Sequence, residues 1–225
     1  MVRKAEALIR WQHPDHGLIP PSLFIPIAEE TDMIGEIGDW VFREAARQVN
    51  QWRRKLGSAF QISINKSPTQ FYDEQSDHGE WFRFLQELGL PGSSIVVEIT
   101  ERLLLDTDAA VTDKLLALRR AGIQVSLDDF GTSYSSLAYL QKFDIDYIKI
   151  DQTFVRQLAP NSNDLALCEA IIAMSHKLGI KVVAEGVETP EQKELLLAAN
   201  CDYGQGFLFS KPLRAEDFDA LLRSP

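Results

Sequence analysis

Ser126-Leu127-Asp128-Asp129-Phe130-Gly131-Thr132-Ser133-Tyr134-Ser135-Ser136-Leu137-Ala138-Tyr139-Leu140 ends one apolar run in two adjacent carboxylates, then opens a turn and a helix expected over 134–142. Ile123, Val125 and Leu127 precede the pair at alternating positions, so a buried strand over 123–128 delivers two negative charges to one rim of a sheet. Carboxylates held that close repel each other by roughly 1–4 kcal/mol, depending on the local dielectric. A proton or a cation between them relieves the conflict. Alternatively, Asp128 or Asp129 caps the helix that follows, as Asp often does. This stretch alone leaves the two readings level.

Working outward, the same strand-then-helix unit recurs. Strands are expected over 5–11, 60–65, 94–100, 123–128, 147–150, 180–185 and 204–209. Helices are expected over 22–33, 36–56, 80–88, 109–121, 134–142, 164–178, 190–199 and 215–222. The second carries Ile37, Val41, Ala45, Val49, Trp52 and Leu56 at helical spacing. Gly122 and Gly179 stand where left-handed helix ends belong. Thr189-Pro190-Glu191-Gln192 is a capping box with proline at the first helical position. Alternating strands and helices predict an α/β fold with a parallel sheet, and an eightfold barrel is the nearest closed form. One of its eight strands is missing from this reading.

The chain has 225 residues, 45% hydrophobic and 25% charged, enough to bury one core, and a single domain over 1–225 is expected. A net charge of −10 argues against a polymeric nucleic acid as partner, which needs a basic face. An anionic small ligand stays open if metals invert the local charge. Cys168 and Cys201 lie far apart in sequence, in neither a CxxC nor a Cys/His spacing, so no disulfide framework and no zinc site is expected. No apolar run is long enough to span a membrane, and the first residues lack the apolar core of a signal peptide. The reading is of a cytoplasmic chain without membrane insertion.

Polar residues cluster at the C-terminal ends of the expected strands, the rim where parallel barrels place their chemistry. Glu6 and Arg10 share parity on the first strand. Asn65 ends the second, the third holds Glu98 with Glu101 just past its end, and Asp128 and Asp129 end the fourth. Lys149 lies inside the fifth, Glu185 ends the sixth with Glu188 just beyond it, and Gln205 stands at the seventh. Glu6, Asn65, Glu98, Asp128, Asp129 and Glu185 form an oxygen-only donor set, which suits Mg²⁺ or Mn²⁺ rather than zinc. Six oxygen-donor side chains are more than one octahedral ion normally takes from protein, so two ions sharing Asp128 are expected. Such a pair clamps the attacking and leaving oxygens of a phosphodiester displacement. Lys149 would orient the attacking oxygen or neutralise phosphate, and Arg10 would grip the phosphate as a fork.

Each residue also has a plainer reading. Glu98 or Glu101 can be a salt-bridged strand-end carboxylate, and Asn65 a turn residue before Lys66-Ser67-Pro68. Glu185 and Glu188 can favour the dipole of the helix after Thr189. Lys149 can be a buried ion-pair partner or a Schiff-base lysine. His13 and His16 sit in a loop with Pro14 and Gly17, and Trp40, Trp52 and Trp81 read as core or surface anchors.

Glu6-Ala7-Leu8 resembles the signature of the EAL domain, the bacterial cyclic di-GMP phosphodiesterase family. The likeness continues through Ile64-Asn65-Lys66-Ser67, Glu98-Ile99-Thr100-Glu101, Asp128-Asp129-Phe130-Gly131, Lys149-Ile150-Asp151, Glu185-Gly186-Val187-Glu188 and Gln205-Gly206-Phe207. It spans essentially the whole chain. The resemblance implies a TIM-barrel-like (β/α)8 fold, with the family's first strand apparently absent from this chain. It implies Glu6, Asn65, Glu98 and Asp128 around one Mg²⁺ or Mn²⁺, and Asp128, Asp129 and Glu185 around a second. Lys149 matches the lysine that positions the attacking water, and Arg10 matches a phosphate contact. Glu188 and Gln205 match supporting polar residues, and Glu101 matches the glutamate that steadies the loop after Asp129. The implied reaction is hydrolysis of cyclic di-GMP to linear pGpG, in a homodimer belonging to a larger signalling protein.

One departure is Ser133, where the family usually has glycine; a side chain there disfavours a positive φ. Two other classes stay open: a catalytically impaired cyclic di-GMP receptor, and an unrelated lyase using Lys149 as a Schiff base. The Asp128-Asp129 pair argues against the lyase.

Overall fold

A computed structural model describes residues 2–73, 78–105, 109–131, 140 and 143–222. In chain order it contains β1 (Lys4–Ala7), β2 (Trp11–His13), β3 (Gly17–Ile19), α1 (Pro21–Glu30), α2 (Ile34–Leu56) and β4 (Gln61–Asn65). There follow α3 (Thr69–Tyr72), α4 (Gly79–Glu87), a 3₁₀ turn Gly92–Ser94, β5 (Ile95–Thr100), α5 (Glu101–Leu105) and α6 (Ala109–Arg120). The rest is β6 (Gln124–Phe130), β7 (Tyr147–Ile150), α7 (Gln152–Arg156), α8 (Asn163–Lys177), β8 (Lys181–Ala184), α9 (Pro190–Ala198), β9 (Tyr203–Gly204) and α10 (Ala215–Leu221). The chain divides into two compact units, Met1–Glu98 with Thr107–Gln124, and Ile99–Asp106 with Val125–Pro225.

In the first unit β1, β4 and β5 run parallel in that order, with Glu6 beside Ser63 and Asn65 beside Glu98. Of the residues at helical spacing on α2, Ala45, Val49 and Trp52 are buried and Ile37, Val41 and Leu56 half-buried, while Phe42 and Ala46 complete the core face. Removing each of the large ones from water is worth about 2–3 kcal/mol. Phe42 stacks on Trp81 of α4 with ring centroids 4.1 Å apart, and the Trp81 indole N–H donates to Asp39 at 2.7 Å.

In the second unit β6, β7, β8 and β9 run parallel in sequence order. Ser162 caps α8 by accepting from the Leu165 N–H, and the expected capping box at Thr189 and Gln192 starts α9. The fold class is therefore α/β, with three parallel strands in one unit and four in the other. No helix among the described residues is long and apolar enough to cross a membrane.

Three expectations need correction or fall outside this description. The first strand ends at Ala7, not Trp11, because Trp11-Gln12-His13 turns back antiparallel onto Gly17-Leu18-Ile19. His13 Nδ1 accepts from the N–H groups of Asp15 and His16, and Gly17 takes φ +69, so this segment satisfies its own backbone in a hairpin. Arg10 consequently shares no strand with Glu6. The last strand is only Tyr203–Gly204; beyond it Phe209 and Ser210 donate to the Gly206 carbonyl and the backbone turns. The helix expected over 134–142, and Ser133 with it, lies outside the described residues apart from Leu140, which is helical.

Candidate metal and active site

The first unit gathers Glu6, Asn65 and Glu98. Ser63 and Asn65 face the same side of β4, since alternate residues do. Glu6 is registered beside Ser63, so the Asn65 carboxamide, one pleat further on, reaches back and donates to Glu6 Oε1 at 2.7 Å. Glu98 is buried, and its carbonyl accepts from the Lys66 N–H at 3.0 Å, extending the ladder one residue past Asn65. Glu6 is half-buried and Asn65 exposed.

The second unit gathers Asp128, Asp129, Lys149 and Glu185. The β6–β7 register shifts between Leu127 and Phe130, and Asp129 takes φ +55. An irregularity of this kind re-aims side chains at a strand end. Here it turns both carboxylates to one place, with Asp128 Oδ1 also accepting the Asp129 N–H at 3.0 Å. Lys149 is only 2% exposed, and its ammonium lies 3.2 Å from Asp128 Oδ1 and 2.8 Å from Glu185 Oε1.

One oxygen from each of Asp128, Asp129 and Glu185 lies within 4.8 Å of the others, a grouping that could hold a metal ion. Desolvation, then the charges of Asp128 and Asp151, hold the Asp129 carboxyl above the usual carboxylate range against the opposing pull of Lys149. Three carboxylates against one ammonium leave an excess negative charge that a hard divalent cation suits. Asp151 is committed elsewhere in part, since its Oδ1 caps α7 by accepting the Thr153 N–H at 2.9 Å.

The remaining sequence-derived candidates occupy varied settings. Arg10 is exposed, and its guanidinium donates to the Ile9 carbonyl. Glu101 is buried at the first residue of α5. Glu188 is exposed, its N–H held by Gln192 Oε1 at 2.7 Å. Gln205 is half-buried, its N–H donating to the Ala184 carbonyl at 2.8 Å and its carbonyl accepting from Val187 at 3.0 Å. Leu208 in turn donates to the Val187 carbonyl at 3.0 Å. Val187 thus straps the segment bearing Glu185 and Glu188 to the segment bearing Gln205.

That strap requires Gly206, where a Cβ would overlap both the N and the O of Val187. Gly186 has φ +69, and a Cβ there would meet the Gln152 Cβ at 2.6 Å. Sequence reasoning missed both glycines. Their signal was present as glycine directly after a polar strand-end residue, in Glu185-Gly186 and Gln205-Gly206.

The EAL domain family model matches residues 1–212. Bifunctional diguanylate cyclase/cyclic di-GMP phosphodiesterase MucR of Pseudomonas aeruginosa is 42% identical over 212 residues, covering 94% of this chain and 31% of that protein. Cyclic di-GMP phosphodiesterase PdeR of Escherichia coli is 42% identical over 218 residues, covering 97% of this chain and 33% of that one. The chain therefore spans about a third of the length of these curated relatives. Among solved structures, the PaMucR phosphodiesterase in complex with c-di-GMP superposes with a TM-score of 0.87 at 40% identity, over 95% of this chain and 86% of that one.

Proposed function

The chain belongs to the EAL domain family, and we propose that it hydrolyses one phosphodiester of cyclic di-GMP to give linear pGpG, using two Mg²⁺ or Mn²⁺ ions. The observation that carries the reading is the Lys149 ammonium set between Asp128 and Glu185, with Asp129 completing a three-carboxylate cluster. A lysine in a Schiff base would lie free of such anchoring to attack a carbonyl. Relatives named as cyclic di-GMP phosphodiesterases support the substrate.

In this proposal Glu6, Asn65 and Glu98 are ligands contributed by the first unit, and Asp128, Asp129 and Glu185 those of the second. The donor chemistry fits, being oxygen throughout. When bound, divalent cations ease the ionisation of an attacking water and offset charge on the leaving oxygen. Lys149, held between two carboxylates, orients that water. Asp129 contacts substrate or metal. Arg10 pairs with a phosphate oxygen, a role its exposure leaves open to it. Gln205, Glu188 and Glu101 support the site, the first two through the Val187 strap and Gln192. We also propose, on the family resemblance, a homodimer within a larger signalling protein.

The test is incubation with cyclic di-GMP and Mn²⁺, resolving pGpG by chromatography beside a Glu6→Ala variant and a sample with EDTA. Product from the parent alone supports the reading. Ligand binding by the folded parent without any product overturns it and leaves a receptor.

A further inference from the structure

Asn65 is exposed, and its carboxamide donates to Glu6 Oε1 at 2.7 Å. The two residues after it are also held. Lys66 donates its N–H to the Glu98 carbonyl at 3.0 Å. Ser67 is held from three directions. Its N–H donates to Gln70 Oε1 at 3.1 Å, its carbonyl accepts the Gln70 N–H at 3.1 Å, and its hydroxyl donates to Glu29 Oε1 at 2.5 Å while accepting the Thr69 N–H at 3.2 Å.

Gln70 is 4% exposed, so its carboxamide has little solvent to exchange with. It also lies against α2 where the helix carries Gly38, and a Cβ at that position would overlap the Gln70 amide. A glycine inside a helix costs about 1 kcal/mol relative to alanine. Here it makes room for a buried amide.

From this we infer that Gln70 and Glu29 are positioning residues for the Asn65–Glu6 pair, acting through Ser67. The inference rests on the proposed reading of Asn65 and Glu6 as metal ligands and extends it to α1 and α3. Neither Gln70 nor Glu29 reaches the metal group directly; each holds the backbone turn from which Asn65 projects. Outer partners of this kind typically change metal affinity by 10–100-fold when removed.

The test is Mn²⁺ titration of the whole chain followed by electron paramagnetic resonance of the free ion, with no substrate present. The variants are Asn65→Ala, Ser67→Ala, Gln70→Leu, Glu29→Ala and Glu29→Gln, each checked by circular dichroism. The expected result is that Ser67→Ala, Gln70→Leu and Glu29→Ala weaken Mn²⁺ binding about tenfold, in the same phase that Asn65→Ala affects. Glu29→Gln, which keeps an oxygen acceptor for the Ser67 hydroxyl, stays with the parent; a merely structural role would not be rescued in metal affinity this way. Glu29 is only partly buried, so its variants carry the test if Gln70→Leu fails to fold. If Asn65→Ala weakens binding while the folded Ser67, Gln70 and Glu29→Ala variants bind like the parent, the inference is overturned and the metal reading stands. If Asn65→Ala also binds like the parent, the metal reading of Asn65 falls and takes this inference with it.

Discussion

Replacing Lys149 by methionine tests the charge arrangement of the second unit without reference to turnover. The ammonium lies 2.8 Å from Glu185 Oε1 and 3.2 Å from Asp128 Oδ1 and is almost wholly buried. At an effective dielectric near 20, each contact is worth about 5–6 kcal/mol of Coulomb energy, most of it offset by the cost of taking the ammonium out of water. Removing it leaves carboxylates whose oxygens approach within 4.8 Å. In the same dielectric each pair repels by about 3.5 kcal/mol or more. Breaking a buried pair from one side usually costs ~3–5 kcal/mol, and that range is expected here. The assay is urea unfolding at pH 7.5 in EDTA. Mn²⁺ should then restore more stability to Lys149→Met than it adds to the parent, because the cation takes over charge that the lysine carried. A variant as stable as the parent in EDTA would refute the reasoning, since it would mean that the carboxylates do not need the ammonium.

Lys66 has a different pH signature: burial lowers its pKa from 10.5 to about 7, only partly countered by Asp39. The unfolded chain binds more protons between those values, so stability rises with pH from about 7 toward 10.5, by at most roughly 4–5 kcal/mol. Urea midpoints in EDTA at pH 7 and pH 9.5 should show this rise in the parent and its loss in Lys66→Met; parallel profiles would sink the argument. Burial lifts the thiols of Cys168 and Cys201 to about 12 and about 11, so a disulfide reagent at pH 8 should label them only on unfolding. Fast labelling of the native chain would contradict their placement. Gly206→Ala should cost about 2 kcal/mol and reduce turnover of cyclic di-GMP, because a Cβ there pushes on the backbone strap at Val187. Parent-like kcat/KM and unfolding midpoint would show the strap to be dispensable.

The strand ends were legible because an apolar run that stops in a polar residue has one reading in a parallel sheet. Asn65 ends β4 and Glu185 directly follows β8, whereas Glu98 and Asp128 each follow an apolar run but stand two residues before the ends of β5 and β6. The β2–β3 hairpin was not legible, since three residues per strand are too few for a period of two to declare itself. Arg10 was misplaced for that reason: its parity with Glu6 assumed one continuous strand. The final strand failed differently. Gly204 to Phe209 ends in an apolar run, but its backbone is bonded to Val187, and a choice of hydrogen-bond partner leaves no trace in hydropathy.

Lys66 and Lys149 mark the limit most clearly. Both are buried lysines on or just past the end of a parallel strand, and the sequence distinguishes them only by an apolar neighbour on each side of Lys149. Lys149 is neutralised by carboxylates at the ends of β6 and β8, which the strand pattern already placed at the same rim. The Lys66 ammonium lies instead 4.7 Å from the Trp81 ring centroid and 5.1 Å from that of Phe71, rings supplied by α4 and α3. Ring faces return about 0.5–2 kcal/mol to a cation, well short of an ion pair's attraction. The same side chain is therefore a charge carrier at one strand end and, at the other, an amine whose charged form burial disfavours. What separates them is which helices pack nearby, and that is decided by tertiary contacts that local pattern does not encode.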